Sequence, residues 1–150
     1  MQKGAPDGFS LVEIMIVVGL IALLAALAIP AFNQSRMKTH ATRLAADMRR
    51  YAEAFEIYAT EKGEWPPDGR KAEIPKGMEG RLPRFTLEGV GGAAWDWEFS
   101  TKGVRAGLSL HHGNRNRKLM VMIDEIIDDG HLRKGRLIDN GGRITYILEP

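Results

Sequence analysis

Between Phe9 and Phe32 the chain reads FSLVEIMIVVGLIALLAALAIPAF, and the only ionisable side chain in that run is Glu13. From Ile14 to Phe32 there is no charge at all. About 20 apolar residues rising 1.5 Å each span the hydrocarbon layer of a bilayer, so this stretch is expected to cross a membrane. A secretory signal peptide differs in having a shorter apolar core of roughly 7–15 residues, a basic start, and a small-residue cleavage site behind it. Here the break signal stands in front of the apolar run.

That signal is Gly8-Phe9-Ser10-Leu11-Val12-Glu13, preceded by the polar leader MQKGAPDG. The arrangement resembles the type IV pilin and pseudopilin family, whose members carry a short leader ending in Gly, then Phe, with a Glu on the fifth residue after the cut. The resemblance implies cleavage of the Gly8-Phe9 bond by a prepilin peptidase, N-methylation of Phe9, and an assembly role for the Glu13 carboxylate. Pro30 matches a proline that kinks the helix in these proteins. The leader departs from the family pattern in holding one basic residue, Lys3, and in placing Asp7 beside the cut.

An ionised carboxylate deep in a membrane helix costs on the order of 2.5–3.5 kcal/mol on insertion scales, so Glu13 needs a partner or a shallow position. One partner is local. Ser10 and Glu13 have the S-x-x-E spacing of a capping box directly ahead of an apolar run. The other arises if the chain is cut before Phe9, which creates an α-amino group one helical turn from Glu13. Spacing alone does not separate pairing within a chain from pairing between neighbours. The resemblance implies neighbours, with the incoming amine neutralising Glu13 of the subunit already in place and setting axial register.

With 150 residues, 44% of them hydrophobic, the chain has room for one anchor and one modest domain. A net charge of +2 is too small to imply nucleic acid by itself. The absence of cysteine excludes disulfides, thiolate metal sites and a cysteine nucleophile. The positive-inside rule sets Lys3 against Arg36, Lys38 and Arg43, and on that count the C-terminus faces the cytoplasm. The resemblance implies the opposite: a single-pass inner-membrane protein with its head outside the cytoplasm.

Beyond the membrane run, Met37, Ala41, Leu44, Met48, Tyr51, Phe55 and Tyr58 recur at alternating spacings of four and three, an apolar helical stripe. Gly63 and Pro66-Pro67 end it. One helix from about Ser10 to Lys62 is expected, about 80 Å long, with a wholly apolar first half and an amphipathic second half. The stripe is expected to pack on the rest of the chain.

From Gly63 onward most of the glycines and prolines appear, marking a loop-rich mixed domain. Residues 65–83 read as an irregular connection. Trp95, Trp97 and Phe99 alternate with Asp96 and Glu98; after the turn Ser100–Gly103, Val104, Ala106, Leu108 and Leu110 continue the alternation as a hairpin. Leu119, Met122, Ile123, Ile126 and Ile127 have helical spacing up to Gly130. A final hairpin joins Leu137-Ile138 to Ile144, Tyr146 and Leu148 through Asp139-Asn140-Gly141-Gly142. The fold class is therefore α+β and pilin-like: a long N-terminal helix packed on a small antiparallel sheet. Its expected divisions are a leader (1–8), the membrane half of the helix (9–32), its amphipathic half (33–62) and a globular head (63–150).

No catalytic constellation stands out, and no cofactor or metal is expected. His111 and His112 point to opposite faces of a strand and find no third ligand by spacing. Asp124, Glu125, Asp128 and Asp129 could suggest calcium, as in some pseudopilin heads, but on a helix they read as a solvated face. Gly89-Val90-Gly91-Gly92 lacks the Lys-Ser/Thr of a phosphate loop and reads as a turn. The basic clusters Arg115, Arg117, Lys118 and Arg133, Lys134, Arg136 lack the interleaved aromatics of a nucleic-acid surface. The expectation is a structural subunit of a type IV pilus or a type II secretion pseudopilus. Its implied partners are pilin-like subunits, the prepilin peptidase, the membrane and an inner-membrane assembly platform. The alternative is a membrane-tethered extracytoplasmic ligand-binding module.

Overall fold

The computed structural model describes residues 8–86, 93–101, 103–112 and 116–150. Most of the leader, the Gly89–Gly92 turn and Arg115 of the first basic cluster lie outside those residues. The chain divides into two compact units, Met1–Met37 and Lys38–Pro150.

Helix α1 runs from Leu11 to Lys62 and continues through Pro30. Its first turn is closed by a reciprocal pair: the backbone N–H of Glu13 donates to Ser10 Oγ (3.2 Å), and the backbone N–H of Ser10 donates to Glu13 Oε2 (2.8 Å). This is the capping box that the S-x-x-E spacing implies. In the first unit the helix carries large apolar side chains on all sides, and they are exposed: Phe9, Leu11, Ile14, Leu20, Leu27 and Phe32 among them. It is long and apolar enough to cross a membrane, and none of its most apolar window is buried.

In the second unit the stripe behaves as its spacing predicts. Ala41, Leu44, Met48, Tyr51 and Phe55 are buried, joined by Ala45 and Ala52. The helix ends where Gly63 takes φ +75°, a left-handed value that glycine adopts without steric cost, and donates to Ala59 O.

The sheet of the head contains β1 (Ala93–Thr101), β2 (Val104–His112), β3 (Leu137–Asp139) and β4 (Arg143–Glu149), in the spatial order β1-β2-β4-β3. All its pairings are antiparallel. Helix α2 (Arg117–Ile127) lies between β2 and β3 in sequence and starts at an Asn116 cap, whose Oδ1 accepts from Leu119 N–H. The register pairs Trp97 with Leu108, and Leu108 with Tyr146, so one apolar row crosses three strands. This row meets α1 through aromatic rings. Trp97 stacks on Phe55, Tyr51 meets Trp95 edge-on at 5.1 Å, and Phe85 closes against both Tyr51 and Phe55. Each such buried side chain contributes about 1.5–3 kcal/mol, which makes the aromatic seam the main fastening of helix to sheet. The layout is α+β and pilin-like.

Candidate functional site

Alternation along β1 and β2 places Asp96, Glu98, Ser109 and His111 on the face opposite the aromatic seam. That face is not simply solvated. Asp96 and Glu98 are buried, and so are Ser109 and Thr145, whose hydroxyls lie 2.8 Å apart. Arg143 reaches Glu98 Oε1 at 3.0 Å, Thr101 Oγ1 donates to Glu98 Oε2 at 2.9 Å, and His111 Nε2 lies 3.1 Å from Asp96 Oδ2. Spacing along the chain had offered His111 no further ligand. The antiparallel register supplies two, since Asp96, Glu98 and His111 bring donor atoms within 4.8 Å of one another. Such a donor set suits a divalent metal in type, but its members are already engaged with Arg143, Thr101 and each other.

His112 faces the other way and is buried, and among the described residues its Nδ1 has no partner. Burial, then the nearby His40, holds its pKa below the usual histidine value.

The acidic end of α2 departs from the solvated face its charges suggest. Glu125, Asp128 and Asp129 are exposed, but Asp124 is fully buried, and among the described residues neither of its carboxylate oxygens has a hydrogen-bond partner. Burial, followed by the charges of Asp129 and Asp128, pushes its pKa up to about 6. A signal was available, because Asp124 follows Met120 by four residues and so shares the helix's apolar side. Asp128 Oδ2 accepts from Arg136 N–H at 2.5 Å, and Asp129 Oδ1 accepts from His131 N–H at 2.7 Å, so both pin the following loop. Gly135 passes so close that a Cβ there would stand 1.9 Å from Asp128 Oδ2. Asp124, Asp128 and Asp129 bring oxygens within 4.8 Å of one another, donors of the hard type that calcium or magnesium takes.

An open groove of about 600 Å³ in the second unit is lined by Glu56, Thr60, Trp65, Phe99, Arg105 and Glu149. Its polar groups satisfy one another: Trp65 Nε1 donates to Glu149 Oε2 at 2.6 Å, and Arg105 pairs with Glu149 Oε1 at 2.7 Å.

At the N-terminal end, Gly8 and Phe9 precede the helix in exposed, non-helical backbone, with Phe9 85% exposed. Phe9, Ser10 and Glu13 thus meet at the mouth of an apolar helix whose side chains find no cover in this unit. With the head described above, these features make up a pilin-like layout. The chain is 36% identical over 96 residues to the fimbrial protein EcpC of Eikenella corrodens, covering 61% of this chain and 60% of that protein. It is 39% identical over 56 residues to prepilin peptidase-dependent protein D of Escherichia coli (strain K12), covering 37% and 38%. To type II secretion system core protein G of Aeromonas hydrophila it is 26% identical over 91 residues, covering 59% and 64%. Each match spans less than two thirds of the relative's length. No family model matches the chain, and no solved structure matches it significantly. The three relatives, with the pilin-like layout, support the type IV pilin and pseudopilin family for this chain.

Proposed function

We propose that this protein is a structural subunit of a type IV pilus or a type II secretion pseudopilus, cut between Gly8 and Phe9, N-methylated on Phe9, and polymerised through α1. The observation that carries the reading is the apolar half of α1, exposed all round and opened by the Ser10–Glu13 pair. Lipid covers such a surface before assembly, and sibling helices cover it afterwards. In the single chain, Glu13 is held by the cap. On cleavage, the amine of Phe9 becomes a cation that the carboxylate of a neighbouring Glu13 can neutralise in a low-dielectric bundle. Pro30 lacks an N–H and so leaves a carbonyl free in the preceding turn, which lets the helix bend there. The names of the relatives, one of them prepilin peptidase-dependent, are consistent with this processing. The head then lies outside the cytoplasm, and the peptidase, sibling subunits and an assembly platform in the inner membrane are the partners.

Mass spectrometry of the mature protein tests the reading. N-methyl-phenylalanine at Phe9 is the expected N-terminus; mature protein that keeps residues 1–8 would overturn it and leave a tethered head instead.

A further inference from the structure

Helix α2 carries its charges against its own dipole. Its first turn holds Arg117 and Lys118 and no acid, its last turn holds no base, and exposed Glu125, Asp128 and Asp129 stand at its far end. The N-terminal end of a helix favours anions and the C-terminal end cations, so this order serves something other than the helix.

The basic end borders a small cavity. Gly130, at φ +78°, turns the chain after α2, and the loop that follows frames an open hollow of about 270 Å³ lined by Arg117, Val121, His131, Leu132, Arg133 and Lys134. Arg117 and Val121 are four residues apart and share one side of α2. The loop is held in the free chain: Lys134 N–H donates to His131 O at 2.8 Å, and Leu132 O accepts from Asp139 N–H at 2.7 Å. Arg117, Arg133 and Lys134 are exposed and form no ion pair among the described residues. Three like charges thus repel one another around one hollow, and no acid answers them there.

We propose that this cavity binds a phosphate monoester, its phosphoryl group between Arg117, Arg133 and Lys134 and its organic part against Val121 and Leu132. A phosphate monoester carries close to two negative charges at neutral pH and three acceptor oxygens, which matches three cations around one hollow. Each guanidinium fork takes two oxygens at once, and the ammonium adds a point charge. A carboxylate offers one charge and two oxygens, which leaves cations unanswered. Single-stranded nucleic acid is a poorer occupant, because the walls are aliphatic where stacked bases need aromatic platforms. The inference stands apart from the filament reading, since a head that never assembles keeps the same cavity.

Isothermal titration of the full-length protein in neutral detergent, at about 0.15 M salt, tests it. Phenyl phosphate should bind several-fold more tightly than inorganic phosphate, which lacks the apolar part, and than benzoate, which lacks the second charge. Arg117→Gln, Arg133→Gln and Lys134→Gln should each weaken that binding at least several-fold; because these side chains are exposed and unpaired, the variants should unfold at the parent's temperature. Lys71→Gln removes an exposed cation beside β1, where Ala72 N–H donates to Trp95 O, and should change nothing. Phosphatidic acid added to the micelles separates two sources of the same chemistry: displacement of phenyl phosphate supports a lipid headgroup, and no displacement supports a soluble ester. Absence of phenyl phosphate binding, benzoate bound as tightly, or a loss from Lys71→Gln equal to that from Arg117→Gln would overturn the inference. So would duplex DNA that binds through the same three cations while phenyl phosphate does not.

Discussion

The ring of Trp97 lies 3.8 Å from that of Phe55 and within 6° of parallel to it, joining the sheet to α1 at the centre of the head. The same indole donates through Nε1 to the carbonyl of Pro66 at 3.0 Å, which also ties down the chain leaving the helix. Stacking and hydrogen bond are separable. Trp97→Ala should cost about 3–5 kcal/mol in urea unfolding of the detergent-solubilised protein. Trp97→Phe keeps the ring contact and should cost much less, with a share of about 1 kcal/mol from the lost hydrogen bond. Equal losses for the two variants would contradict this division.

Ser10 and Glu13 share the cap, so the two variants separate capping from assembly. Ser10→Ala removes only the hydroxyl acceptor and should cost about 1 kcal/mol of helix-end stability while filaments still form. Glu13→Ala should leave membrane insertion and head folding intact but reduce filament yield by at least tenfold, as judged by shearing and immunoblot. If Ser10→Ala abolished filaments as fully as Glu13→Ala, the cap itself would be the essential element.

Asp124 should make the head less stable as the solution becomes less acidic. Its pKa rises from 3.8 to about 6 on folding, so below about pH 4 the group is neutral in both states and costs nothing extra. Between about pH 4 and 6 the unfolded chain ionises it first, and above 6 the whole penalty, at most about 3 kcal/mol, is present. Asp124→Asn should therefore raise the urea midpoint at pH 7.5 and change it little at pH 4. A variant that tracks the parent at both values would remove Asp124 from the account.

His112 acts in the opposite direction. Its folded pKa lies below the usual 6.5, so its stability contribution is complete above 6.5 and declines as pH falls through the folded value, where the unfolded chain takes the proton first. His112→Phe should flatten the acid side of the profile. Thermal unfolding between pH 7.5 and 5 measures the difference.

Much of this architecture is written in local pattern. The charge-free run after Glu13 dictates an apolar helix, the alternating three and four spacing from Ala41 to Phe55 dictates which side is buried, and alternation in both hairpins dictates strands. These features depend only on the geometry of a single helix or strand, so near neighbours in sequence suffice to specify them. The side of α2 that carries Asp124 was legible in its four-residue spacing from Met120, whereas Asp96, Glu98 and His111 depended on contacts between distant segments. The β1–β2 register brought Asp96 to His111, and Arg143 came to Glu98 from β4, across a strand that pairs with both. Which polar group ends up buried, and beside what, follows from the strand order β1-β2-β4-β3 and the packing of α2, because burial is decided by whatever covers a residue.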